Sequence, residues 1–484
     1  MTQRLTGRKE PNPPIHGKTH LACSNRDKAE VLADTLETSF KPNQVSKLTI
    51  EVEQEITKHY LEHPSETESA TIEECSSDQI RSLLNKLKND KAPGKDRITN
   101  QAIKMFPNAA VDRLAEIFNT CLQHQHFPEA WKEARVIVFP KARKSLKDPT
   151  NYRPKSLLFG LSQLFEKVIL ACLNNFATSE NLLAKEQFGN RQEHSTNHQL
   201  LRVVGIISHG FNINKSTRVV FLNVAKPFDR VWHRGLIYKL IKLKFFSYLV
   251  NLLTSYLEEC TFHVAMREEC STVCPNLAGV PQGSILGPFL FNIFTNYIPK
   301  DLKKPDLALC ADDVAVISHS FSEKEAAKNL EASLCKISGW YSDWWMQLNT
   351  SKTAATLFTR EQIKKHPQIR LNGEEIKWES SSSYLGVTLD SKSHREDMPE
   401  SNNPLLRTKS IPTRNKLHAV NSIIRPTMTY ASSVWSGCKL EYRKPLQTLQ
   451  NKALRIATGA PCFARTTDLH RALRCWTTIS AHST

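Results

Sequence analysis

Two adjacent acids, Asp312 and Asp313, stand between the apolar stretches Leu307-Ala308-Leu309-Cys310-Ala311 and Val314-Ala315-Val316-Ile317. Apolar runs on both sides of so short a break are the pattern of a hairpin, and its tip would present the two carboxylates on a rigid, dry support. Hard oxygen donors of this kind suit Mg²⁺, which takes one or two carboxylates and completes its shell with water or substrate phosphate. Two such ions can activate a hydroxyl and steady a leaving pyrophosphate. An ordinary Asp-Asp turn has the same sequence, so the pair gains weight only from its surroundings.

Those surroundings are rich in phosphate-binding chemistry. The stretch from Gly279 to Pro288 reads GVPQGSILGP, a glycine-rich loop in which backbone and the Gln282 amide can approach a nucleotide closely. Lys141, Arg143, Lys144 and Lys147 form a basic loop that runs to Tyr152-Arg153-Pro154. Flexible cations at that density suit a triphosphate, and they would equally attract any polyanionic backbone. Lys352 follows Leu348-Asn349-Thr350-Ser351, where an ammonium can offset phosphate charge or sit solvated at the surface. His263, Cys270 and Cys274 fit no common zinc spacing and read as loop residues.

The elements needed to hold these residues are visible in the periodicity. Ile80, Leu83, Leu84 and Leu87 recur at helical spacing after a Ser/Asp start, as do Leu114, Ile117, Phe118, Cys121 and Leu122, and a longer series from Leu161 to Phe176. Arg135 to Phe139 and Val219 to Val224 are β-branched and aromatic, so they read as strands, and Phe289 to Ile298 reads as an apolar helix. The alternation is irregular, which predicts an α+β fold up to about Asp390 and a mostly helical region beyond about Ser410. Residues 1 to 76 are polar and weakly periodic and read as a linker or entry segment.

Charge and targeting signals narrow the setting. With 65 Lys+Arg against 48 Asp+Glu the chain carries +17, which favours a polyanionic partner. No apolar run reaches the ~20 residues of a membrane span, and the first residues lack a signal-peptide core. The 12 cysteines are scattered singly, as reduced thiols are. An intracellular setting, nucleus or cytoplasm, follows as the expectation.

Taken in order, PKARK with YRPKS, FLNVAKPFDRVWH, GVPQGSILGP, CADD, LNTSKT and YLGVTLD resemble the successive motifs of reverse transcriptases from non-LTR retrotransposons, jockey-type elements above all. The resemblance runs from about residue 12 to 475. It implies a right-hand polymerase, with fingers and palm over residues 77–390 and a truncated helical thumb and connection region over 391–484. It also implies Mg²⁺, with Mn²⁺ as a substitute, an RNA template, a DNA primer and deoxynucleoside triphosphates. Matched residue by residue, Asp312 and Asp313 are the catalytic metal ligands. Lys141 and Arg153 bind the triphosphate, while Gln282 and Gly283 contact the nucleotide and template. Phe228 is the aromatic gate against a ribose 2′-hydroxyl, Lys352 lies near the pyrophosphate, and Tyr384-Leu385-Gly386 grip the primer.

Three departures from that pattern stand out. Asn223 occupies the position of the family's third catalytic aspartate, and an amide keeps one carbonyl ligand but loses the charge that faces two dications. Pro227 replaces a small residue beside the gate, removes a backbone donor and fixes φ, which predicts a displaced Phe228. The polar stretch from Ser391 to Ser410 is shorter than the helical segment expected there. These features, with no endonuclease motif upstream, describe a decayed fragment of an element. They leave two readings of function: a polymerase, or a catalytically silent nucleic-acid-binding remnant that keeps the basic cleft.

Overall fold

The computed structural model describes residues 13–18, 20–41, 47–62, 72–141, 144–300, 302, 305–320, 323–359, 366–390, 394–395, 412–435, 440–460 and 464–473. Residues 1–76 are not simply a polar linker. Asn25–Ser39 (α1) begins on a Ser24 cap and buries Ala29, Leu32, Ala33 and Leu36, while Lys47–Glu62 (α2) buries Val52 and Ile56 in the main core. Their apolar positions are few, partly alanine and separated by charges that face solvent, so the helical stripe is narrow and the composition reads as polar. Residues 1–12 and 63–71 of that segment lie outside the described residues.

The predicted helices follow. Ser77–Asn85 (α3) opens on a capping box between Ser76 and Gln79, and Asn108–Gln123 (α4) buries Leu114, Phe118 and Leu122. Glu133–Pro140 (β1) pairs antiparallel with Tyr152–Leu157 (β2). The basic loop between them therefore ends earlier than its charge suggested, because Tyr152, Arg153 and Pro154 belong to β2. Proline is tolerated there since β2 is an edge strand. Gly160–Ser179 (α5) follows, then Thr196–Asn212 (α6).

Ser216–Leu222 (β3) is buried from Thr217 onward, as a strand covered on both faces must be. After it come His233–Lys242 (α7), Ser247–Leu257 (α8), Thr261–Met266 (β4), which runs parallel to β1, and Gly287–Thr295 (α9). Asp306–Cys310 (β5) and Asp313–Ser320 (β6) form the anticipated hairpin, followed by Glu323–Asp343 (α10), Ala354–Phe358 (β7) and Lys377–Glu379 (β8). The main sheet has the order β8-β7-β3-β6-β5, with β3 at its centre.

Helices cover this sheet on one side with a large apolar core that includes Leu164, Phe165, Leu236, Leu249, Phe291 and Phe294. Within it Lys239 of α7 is fully buried over the rings of Phe294, Trp340 and Trp344, and its ammonium donates to the Phe294 carbonyl. Burial holds its pKa well below the usual lysine range. Ser381–Tyr384 (β9) and Val387–Asp390 (β10) make a second hairpin, and His394–Arg395 pairs with β10. The rest of the stretch from Ser391 to Ser410 lies outside the described residues. Beyond it, Leu440–Thr458 (α11) buries Leu446, Ala453 and Leu454 in a small separate core with Val420 and Met428. No helix of the described residues is long and apolar enough to cross a membrane.

The integration of α1 is directly testable. Leu32→Ala removes a side chain only 1% exposed, and denaturant unfolding should show a loss of about 3 kcal/mol. An unchanged unfolding midpoint would mean that residues 13–62 hang on the domain without supporting it.

Candidate active site

Cys310 pairs with Asp313 across the β5–β6 hairpin, so Ala311 and Asp312 form a two-residue turn. Ala311 takes a left-handed φ of +54°, which costs a side-chain-bearing residue energy and needs support from outside the hairpin. Gln187 supplies it. Its Oε1 accepts the amide of Ala311 at 2.9 Å and that of Gly189 at 2.8 Å. Gly189 lies so close under the turn that a Cβ on it would sit 2.2 Å from the Ala311 nitrogen. The flanking amides of Phe188 and Leu309 complete a short parallel splice onto β5.

On its other edge β6 pairs with β3, with Val314 opposite Leu222. Continued by one residue, that register places Asn223 opposite Asp313. Directly opposed antiparallel residues point to the same face, so the amide and the carboxylate share one surface. The Asn223 carbonyl accepts the Asn349 amide at 2.7 Å, which ties the segment carrying Lys352 to the end of β3. Lys352 itself ends a single 3₁₀ turn, Thr350–Lys352, capped by the Asn349 side chain.

Electrostatics joins the β1–β2 hairpin to these acids. Burial raises the Asp313 pKa from 3.8 to about 6 although its outer edge meets solvent, and the neighbouring Asp312 pushes it further the same way. Burial also raises Asp312, and Arg153 opposes that shift. Lys141 is lowered by burial and then by the positive charges of Lys352 and Arg153, while Asp229 and Asp148 act against them. Lys141, Arg153 and Lys352 therefore lie within electrostatic reach of one another, and Arg153 within reach of Asp312.

The glycine loop closes the remaining side. Gln282 donates from Nε2 to Asp229 Oδ1 at 2.6 Å, and its carbonyl accepts the Ser156 amide of β2 at 2.8 Å. Gly283 has φ +134°, and a Cβ there would lie 2.5 Å from the Ser156 carbonyl, so both conformation and space require glycine. Phe228 stacks on Phe291 at 4.5 Å between centroids, and its carbonyl accepts the Val280 amide at 2.8 Å. Pro227 has φ −60°, within proline's own range, and Phe228 is firmly seated beside it.

Tyr384, Leu385 and Gly386 stand at the β9–β10 turn. Leu385 and Gly386 both have positive φ, the two-residue turn that matches strand twist. Tyr384 is buried against Phe221, and the Tyr430 hydroxyl donates to the Leu385 carbonyl at 2.7 Å, bracing the turn. Burial raises the Tyr384 pKa, with Cys310 and Asp313 adding to it, which places the tyrosine beside the acidic hairpin. His263, Cys270 and Cys274 are not loop residues: His263 is on β4, which pairs with the segments that carry Cys270, opposite Ala265, and Cys274, opposite Phe262, and the His263 ring meets Glu133 at 3.0 Å.

Three participants escaped the sequence reading: Gln187, Gly189 and Asp229. Gln187 and Gly189 lie in the irregular connection between α5 and α6, residues 180–195, which has no apolar period. Asp229 was within a quoted motif, between Phe228 and Arg230, where nothing local marks it as a support for Gln282. Asp312 and Asp313 are the residues that would hold Mg²⁺, and two carboxylates fit its preference. Among the described residues no group of three or more His, Cys, Asp or Glu is placed to hold a metal.

Two outcomes check this geometry. A proton competes with a cation for Asp313, so Mn²⁺ affinity followed by electron paramagnetic resonance should fall as pH drops through about 6. The sign for stability is opposite. An acid raised from 3.8 to about 6 binds protons more tightly when folded, so without metal it costs stability progressively as pH rises across that window. Gly189→Ala should destabilise the fold by about 2 kcal/mol or more and weaken Mn²⁺ binding, because the Ala311 backbone cannot yield cheaply. Unaltered Mn²⁺ affinity in a folded Gly189→Ala chain would contradict the buttressing role.

Residues 140–389 match the family model described as reverse transcriptase (RNA-dependent DNA polymerase). The chain is 34% identical to the RNA-directed DNA polymerase from mobile element jockey of Drosophila melanogaster, over 98% of this chain and 53% of that protein. It is 33% identical to its counterpart from Drosophila funebris, over 97% of this chain and 53% of that one. The chain thus spans about half the length of these curated relatives. On a match that takes in more than half of its residues and every element of the acidic hairpin, this chain belongs to the reverse transcriptase family.

Proposed function

We propose that this chain extends a DNA primer on an RNA template as the polymerase part of a jockey-type non-LTR retrotransposon. The observation that supports it most is Asp312 and Asp313 on a braced hairpin, with Arg153 within electrostatic reach of Asp312 and Lys141 within reach of both Arg153 and Lys352. Residues 77–390, joined by the helices of 13–62, are then fingers and palm, and 391–484 the thumb and connection region. The setting is inside the cell, in nucleus or cytoplasm.

Mg²⁺ ions held by Asp312 and Asp313, or Mn²⁺ in their place, would activate the primer 3′-hydroxyl and stabilise the leaving pyrophosphate. Lys141 and Arg153 bind the triphosphate oxygens from the fingers hairpin, and Lys352 neutralises charge from the opposite side. Gln282 and Gly283 lie along the nucleotide, with Gln282 held by Asp229 and Gly283 packed against the Ser156 carbonyl of β2. Phe228, pinned by Phe291, presents a ring edge to the sugar. Tyr384, Leu385 and Gly386 grip the primer end beside Asp313.

Asn223 supports a second reading, a silent remnant that binds RNA and hybrid duplexes without turnover. Primer extension separates the two. The unmodified chain should extend weakly with Mg²⁺, better with Mn²⁺, and at least about tenfold faster after Asn223→Asp, which restores a charge and a ligand. Equal rates before and after that change would remove position 223 from the chemistry. Activity gained only with Pro227→Ala would assign the fault to nucleotide positioning. No extension with both changes in place, alongside salt-sensitive binding of hybrid duplexes, would establish the silent reading.

A further inference from the structure

Glu166 lies in the interior of α5, is 0% exposed, and has no part in the chemistry described above. Its Oε2 accepts two backbone amides of the glycine loop, Ile285 at 2.6 Å and Leu286 at 3.1 Å. Those amides sit three and four residues after Gln282, at the entry to α9. They precede the first turn of that helix, where no carbonyl of the helix can receive them. The loop's other ties lie further toward its start: Gly279 to Val231, Val280 to Phe228, and Gln282 to Ser156 and Asp229. Ser284 closes the stretch by accepting the Gly287 amide at 2.8 Å.

We propose that Glu166 is the positioning residue that fixes Gln282 and Gly283 for the incoming nucleotide, by accepting the Ile285 and Leu286 amides from behind the loop. The proposal rests on the reading of that loop as the nucleotide contact. A carboxyl group placed inside a helix bundle is costly unless its oxygens are used, and here one oxygen is used twice on a single short segment. The other, Oε1, is buried with no hydrogen-bond partner among the described residues, and Glu166 lines a narrow cavity of about 30 Å³ together with Ser162, Asn276, Val280 and Pro281. The back of the loop therefore rests directly on this carboxyl group, with little room to shift.

The titratable neighbours that face it are Tyr256 from α8, Cys260 beyond that helix and Lys132 ahead of β1. The Tyr256 hydroxyl also faces Ser284 of the same loop. Burial pushes Glu166 up to about 7, against the pull of the two amides, so neutral and ionised forms are both present near neutrality. Either form keeps a lone pair toward the amides, so the loop depends on an acceptor more than on a charge. An amide in place of the acid should then suffice, whereas an apolar side chain of similar bulk should not.

Hydrogen exchange of the full chain, followed by mass spectrometry on peptides covering residues 280–290, tests the anchor without requiring turnover. Glu166→Leu should speed exchange there by about tenfold while the peptide containing Asp312 keeps its protection, and Glu166→Gln should remain within about threefold of the unmodified chain. In primer extension, Glu166→Leu should raise KM for deoxynucleoside triphosphate about tenfold with kcat changed less than about threefold, and Glu166→Gln should restore KM. Native exchange and KM in Glu166→Leu would overturn the proposal. So would a Gln variant as defective as the Leu variant, or loss of protection across the whole chain. If the loop loosens as stated but no variant makes DNA, the polymerase reading fails while the anchor stands.

Discussion

Two carboxylates on consecutive residues repel each other, and in a half-buried site that repulsion is felt at several times its strength in water. The structure is organised around keeping them there. The upward shift of Asp313 reports the cost, with burial the main contributor and Asp312 the second. A flexible loop would relieve it by swinging the acids apart. This hairpin cannot, because Gln187 holds the Ala311 amide from below and Gly189 lets the backbone of a separate segment lie against the turn.

The same constraint explains why the central sheet has the order it does. Placing β3 between β6 and β7 brings the end of β3, the tip of the acidic hairpin and the Asn349–Lys352 turn to one edge. The second sheet brings Arg153 to that edge as well, and Ser156 of the same strand is bonded to Gln282. One strand thus supplies both a cation for the acids and a backbone tie for the glycine loop. Positive charge from Arg153 counters the upward shift of Asp312.

How much of this could be read from the sequence depended on whether the signal was local. The hairpin, the apolar helices and the central strand were legible because each carries its own periodicity within a dozen residues. The roles expected of Lys141, Arg153, Gln282 and Phe228 rest on the order of motifs, and the fold brings their segments to one region. Gln187, Gly189, Asp229 and Glu166 were not legible as supports, since their partners lie between about 50 and 125 residues away in the chain. Nothing local marks a glutamine that will receive a distant amide. The helices of residues 13–62 were hidden for another reason: charged residues on the solvent face outnumber a narrow stripe of alanine, valine and leucine.

At position 223 the demands of the metal-free fold and of dication binding pull in opposite directions. The register puts it opposite Asp313, where an aspartate would add a third negative charge beside a pair already raised by burial and mutual repulsion. In the absence of metal, the amide relieves that repulsion and still offers a carbonyl oxygen and the backbone bond to Asn349. An amide here therefore suits the metal-free fold better than a carboxylate would, whereas a carboxylate would suit dications better. Pro227 behaves similarly, since its φ is one proline prefers and Phe228 remains stacked on Phe291. Neither residue is at odds with the fold around it, so selection on folding alone would not remove them.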